Sequence, residues 1–211
     1  MGKILNILYE DNHIIVVEKP FNVLSQSDDT KDLDMLTLIK NYLKEKYNKP
    51  GNVYLGLVHR LDRPVGGVMV FAKTSKAASR LSNEIRQKKI EKRYMALVHN
   101  HTKESDVLVD KLLKNEKTNT SYVDEEGKES KLEYKLIEYR GNKSLLDINL
   151  ITGRHHQIRV QLSHHGYPIY GDQKYGIDKP GIQIHLWAYK LKFKHPTKDE
   201  IMEFVYYPDF K

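Results

Sequence analysis

The run His59-Arg60-Leu61-Asp62-Arg63-Pro64-Val65-Gly66-Gly67 sets one carboxylate at the bend between two apolar segments, residues 53–58 before it and 68–72 after it. Proline and paired glycines make this a tight turn, so the spacing predicts strand, bend, strand. Loops held between rigid strands are favoured places for chemistry. Asp62 is one of 28 acidic residues, and its surroundings distinguish it. Two arginines and a histidine within three positions favour an ionised, acceptor-only carboxylate. The alternative is a turn aspartate that hydrogen-bonds its own backbone.

Outward from this bend, the pattern alternates short strands with a few helices. Residues 4–9 and 13–18 read as a hairpin around Asp11-Asn12. Residues 33–47 carry Leu36, Ile39 and Leu43 at helical spacing, and Pro50-Gly51 follows. Thr74 or Ser75 caps a second helix through residue 89, with Ala77, Leu81 and Ile85 as its apolar stripe. Residues 92–98 alternate as a strand that places Tyr94, Ala96 and Val98 on one face. Residues 107–150 read as a meander, with turns at residues 124–127 and 141–142. Thr152-Gly153 introduces a third helix through residue 165, and strands near 183–194 and 201–207 close the chain. Strands joined by short turns predict an α+β architecture, a mostly antiparallel mixed sheet with flanking helices, organised as one domain over residues 1–211.

Composition narrows the function. The chain has 211 residues, 39% hydrophobic and 30% charged, and no cysteine. Disulfides and thiolate metal sites are excluded. No apolar run approaches the roughly 20 residues of a membrane span, and the N-terminus has no secretory signal pattern, so a cytoplasmic location is expected. The formal net charge is +7. Residues 73–93 hold eight basic residues, including Lys73, Lys92 and Arg93, against Glu84 and Glu91. Such a cluster attracts phosphate backbones through counterion release; a solvated helix face is the plain alternative.

A second polar constellation, Thr152 to Arg159, crowds Arg154, His155, His156 and Gln157 at a helix start, where free N–H groups bind anions. The histidines match no zinc spacing, and no acidic residue lies between Asp147 and Asp172, so no metal is expected. Glycine-rich phosphate loops and dinucleotide fingerprints are lacking, so no nucleotide cofactor is expected either.

Five ordered segments together resemble the RluA family of RNA pseudouridine synthases: Tyr9 to Pro20, His59 to Lys73, Lys92 to Val98, Gly153 to Val160 and Gly166 to Asp172. The departures are Val65-Gly66-Gly67 where Thr-Ser-Gly is frequent, His155-His156 where Thr-His or Ser-His is common, and Leu186-Trp187-Ala188 in place of Leu-His-Ala. The resemblance implies a pseudouridine synthase fold with a central catalytic cleft. It also implies an isomerase that converts uridines of ribosomal RNA, transfer RNA or both without metal or organic cofactor. By the family pattern Asp62 is the nucleophile. Tyr94 stacks on the uracil, and Arg159 pairs with the aspartate. Arg60 fills the gap left by the flipped nucleotide, and Leu186 packs against the pocket. His59, Lys73, Lys92, Arg154 and Gln157 are the further expected substrate contacts. Without the S4-like RNA-binding domain many relatives carry, the catalytic domain itself is expected to grip the RNA, as a monomer. The rival reading is a catalytically silent RNA-binding protein of the same fold.

Overall fold

The computed structural model describes residues 5–28, 30 and 32–210. The first expected strand therefore begins, at Ile4, outside the described residues. The chain divides into two compact units, residues 1–90 with 190–207, and residues 91–189 with 208–211.

In the first unit, β1 (Ile7–Glu10) and β2 (Ile14–Lys19) form the expected hairpin. Asp11 closes it by accepting from the backbone N–H groups of His13 and Ile14 at 2.7 and 2.9 Å. β2 pairs antiparallel with β4 (Gly66–Ala72), and β4 with the two-residue β3 (Gly56–Leu57). β4 is buried along its whole length, which explains an apolar run without alternation. The segment before the bend is strand only at β3. A side chain at Gly56 would bring its Cβ to 2.9 Å from Ala78 Cβ, so close approach of the second helix is what this position requires.

Helix α1 (Met35–Lys46) starts at Asp34, whose carboxylate accepts from Thr37 N–H at 3.0 Å. Its buried residues are Met35, Ile39 and Leu43. Helix α2 (Ser75–Arg86) is capped by Thr74 and lays Ala77 and Leu81 into a core with Ile14, Val16, Val68, Val70 and Phe193. The last strands, β10 (Leu186–Lys194) and β11 (Ile201–Val205), pair antiparallel.

The second unit holds the strands expected over residues 107–150, but their order in the sheet is not that of a meander. Its strands are β5 (Glu91–His99), β6 (Ser105–Asn115), β7 (Thr120–Val123), β8 (Lys128–Arg140) and β9 (Lys143–Leu150), in the order β5-β9-β8-β6-β7. Each neighbouring pair is antiparallel. Helix α3 (Gln157–His164) starts later than its sequence suggests. His156 sits at φ +54°, in the left-handed region, so residues 152–156 form a turn and the helix begins after it. The architecture is α+β. No helix among the described residues is long and apolar enough to cross a membrane.

Candidate active site

The bend in the first unit is built from its backbone. Val65 N–H donates to Asp62 C=O at 3.0 Å, closing a four-residue turn that leaves Asp62 half-buried. Ser25 anchors the approach to it, its hydroxyl donating to Leu61 C=O at 2.7 Å and accepting from Leu61 N–H at 3.1 Å. Gly67, at φ +131°, carries the chain out of the turn in a conformation side chains rarely adopt.

Beneath this turn lies a residue the sequence reading missed. Lys19, at the end of β2, is fully buried. Its ammonium donates to the carbonyls of Pro20, Arg63 and Val65 at 3.1, 3.1 and 2.6 Å. A buried ammonium ringed by carbonyls fixes the loop that presents Asp62. Lys19→Met should therefore lower stability by about 2–3 kcal/mol, because three carbonyls lose a charged donor that is itself fully buried. Urea unfolding measures this, and a change below about 0.5 kcal/mol would mean that water replaces the amine at little cost.

Arg60 and His59 flank the bend differently. Arg60 is exposed and its guanidinium grips Gln26 Oε1 at 2.8 and 3.1 Å. His59, expected to touch substrate, accepts the β4 backbone N–H of Val70 through Nε2 at 3.1 Å. That bond makes its ring part of the frame of the bend. Lys73, expected in the RNA-binding cluster, is also committed internally. Its side chain is 8% exposed, and Nζ donates to Glu10 Oε1 and Asp11 C=O, both at 2.6 Å. Glu10 also accepts from Lys46, Tyr42 and Tyr47. The basic cluster is thus not one solvated face. Arg80 donates to Pro196 C=O and Arg93 to Asp147, while Lys76, Lys88 and Lys89 stay exposed.

In the second unit, Tyr94 is buried on β5 at 6% exposure. Lys92, two residues away on the same face of the strand, is half-buried; burial pushes its ammonium pKa down. Its Nζ lies 3.3 Å from where a Cβ at Gly153 would stand, so glycine there makes room for the amine. Leu186, at the start of β10, is buried at 3%.

Arg159 on α3 is 3% exposed and held in a two-point pair by Asp172: Nε to Oδ2 at 2.8 Å and Nη2 to Oδ1 at 2.7 Å. Burial opposes ionisation of Asp172. The Arg159 guanidinium and the backbone N–H groups of Lys174 and Tyr175 outweigh it and hold the carboxyl below its usual range. Asp172 is the second residue sequence reasoning left without a role. It stands in the quoted segment ending Gly171-Asp172, and an acidic residue shortly after the helix that carries the arginine is the available signal.

Gln157, expected to contact substrate, is 3% exposed and spent internally. Its Oε1 accepts from Thr152 Oγ1 at 2.8 Å and from Arg154 N–H at 3.0 Å, and its Nε2 donates to Gln161 at 2.9 Å. These bonds fold the turn that precedes α3. Arg154 is exposed, with Nε on Glu129 C=O at 3.0 Å. No group of three or more His, Asp or Glu among the described residues is placed to hold a metal ion.

Comparison with known proteins adds to this geometry. The family model described as RNA pseudouridylate synthase matches residues 13–164. A protein of Buchnera aphidicola subsp. Baizongia pistaciae named ribosomal large subunit pseudouridine synthase C is 38% identical over 205 residues, 91% of this chain and 63% of that protein. One of the same name from Vibrio parahaemolyticus is 33% identical over 206 residues, 93% of this chain and 64% of that protein. The chain thus spans a little under two thirds of these relatives. The solved structure of human RNA pseudouridylate synthase domain containing 4 superposes with a TM-score of 0.81 at 22% identity, covering 97% of this chain and 89% of that one. Human RNA pseudouridylate synthase domain containing 1 gives 0.78 at 24%, covering 98% and 84%. These likenesses identify the fold as that of the pseudouridine synthase domains.

Proposed function

This chain belongs to the RNA pseudouridylate synthase family, and on that premise we propose that it isomerises uridine within RNA to pseudouridine. The observation that carries the reading is that Asp62, Tyr94 and Arg159 all fall within the matched residues 13–164. The reaction breaks the N1–C1′ glycosidic bond, turns the retained uracil and joins C5 to the same C1′. N1 gains a proton and C5 loses one, so atoms and electrons balance with no cofactor. Asp62 is the nucleophile, carried on a turn that Lys19 and Ser25 hold. Arg159 supplies a fixed cation for the reaction, and Tyr94 supplies a ring for stacking on the uracil. Arg60 occupies the space vacated by the extruded nucleotide, since the target base must leave its stack to be reached. The names of the relatives favour ribosomal RNA of the large subunit as the substrate, ahead of transfer RNA, with the protein acting as a cytoplasmic monomer.

Transcripts carrying tritium at uracil C5, incubated with the protein in EDTA, test the reading. Tritium should be released, and mapping pseudouridines with and without the gene should lose specific sites in large-subunit RNA. RNA binding without release from any cellular RNA supports the silent RNA-binding alternative, and release that EDTA abolishes overturns the metal-free chemistry.

A further inference from the structure

The buried arginine is held by more than its carboxylate. The Tyr175 ring lies over the Arg159 guanidinium, 5.2 Å from Cζ to the ring centroid, within the range of a cation–π contact. Asp172 fixes one edge of the planar fork through Nε and Nη2, and Tyr175 covers a face. Two constraints in different directions define the plane of the guanidinium and so the direction of its other N–H donors.

Tyr175 is itself fastened at three points. Its backbone N–H donates to Asp172 Oδ1 at 3.2 Å, and its carbonyl accepts from Ser163 Oγ on α3 at 2.7 Å. Its hydroxyl accepts from the backbone N–H of Ser121 on β7 at 2.8 Å and lies 2.8 Å from His156 Nδ1. The loop that carries it is tight: a Cβ at Gly171 would stand 2.1 Å from Gln183 C=O, and one at Gly176 would stand 2.3 Å from Asp172 C=O. Its chain therefore has little freedom to carry the ring elsewhere.

We propose that Tyr175 is a positioning residue for Arg159, its ring setting the plane in which the guanidinium is presented. This rests on the reading of the chain as an RNA-modifying enzyme and on Arg159 taking part in the reaction. The ring does the positioning, and the hydroxyl holds the ring. A displacement of about 1 Å in a catalytic group can cost on the order of 100-fold in rate. Removing the ring should therefore depress turnover without weakening RNA binding.

The test compares single-turnover tritium release by the full chain and its Tyr175→Phe and Tyr175→Leu variants, with RNA affinity by filter binding and melting temperature alongside. Tyr175→Phe keeps the stack and should stay within about fivefold of the parent. Tyr175→Leu should lose about 10- to 100-fold in rate with RNA affinity unchanged. Equal losses in the two variants overturn the role of the ring. So does a Leu variant at parental rate, and so does a Leu variant whose rate, affinity and melting temperature fall together, since that marks general loosening. Absence of release by the parent chain is a different result: it removes the enzymatic reading itself.

Discussion

Asp62→Asn should bind RNA as the parent chain does and release no tritium, with the rate down on the order of 10⁴-fold or more. The substitution is nearly isosteric, so what changes is chemistry. An amide oxygen is a poor nucleophile and carries no charge to stabilise a developing cation at the ribose. The local fold should survive, because the bonds described around the turn run through backbone: Val65 N–H to Asp62 C=O, Lys19 to three carbonyls, and Ser25 to both polar atoms of the Leu61 backbone. Asp62→Glu makes a second arm. It keeps the charge and moves it by one methylene, and a well-placed nucleophile should lose about 100-fold from that displacement. Deamidation would return Asp62 from the asparagine, so freshly prepared protein checked by mass spectrometry is required. Release by the Asn variant within tenfold of the parent would falsify the assignment of Asp62 as nucleophile.

The sequence exposed Asp62 because everything that builds its turn is consecutive: arginines, proline and glycines within nine positions. The strands of the second unit were legible for the same reason, since alternation and turn residues are local signals. What stayed hidden is built across the chain. Lys19 reaches Arg63 and Val65 through carbonyl oxygens, and carbonyls carry no residue identity to read. The basic stretch 73–93 looked uniform, yet Glu10 buries Lys73, and Asp147 with Tyr189 engages Arg93. Those partners lie 63, 54 and 96 positions away. The start of α3 was placed too early because Thr152-Gly153 has the chemistry of a helix cap, whereas Thr152 turns its hydroxyl to Gln157 and the left-handed His156 delays the helix. Arg159 was visible as a cation one turn into that helix, but its carboxylate lies 13 residues on, beyond the Gly166 turn.

That last pair supports the largest expected change in stability. Asp172→Asn should destabilise the protein by about 3–5 kcal/mol, because it removes the carboxylate charge from a two-point pair with a buried guanidinium. For a chain of this size the melting temperature should fall on the order of 10 °C. Burial resists ionisation of Asp172, and the guanidinium overcomes it, so the folded carboxyl titrates below its ordinary value. A depressed carboxyl contributes stability above the unfolded value of about 3.9, and the contribution is lost as pH falls through the lower folded value. The gap between parent and variant should therefore be widest near pH 7, begin to narrow as pH falls below about 4, and close only below the lower folded value, where the parent's own Asp172 becomes neutral. Removing both charges separates stability from function. Arg159→Met with Asp172→Leu should recover most of the lost stability, as buried ion pairs replaced by apolar groups do, while tritium release stays absent. A gap that holds constant from neutral to acid pH, in equilibrium urea unfolding at each pH, would mean that packing and the Tyr175 ring hold Arg159 without help from the charge on Asp172.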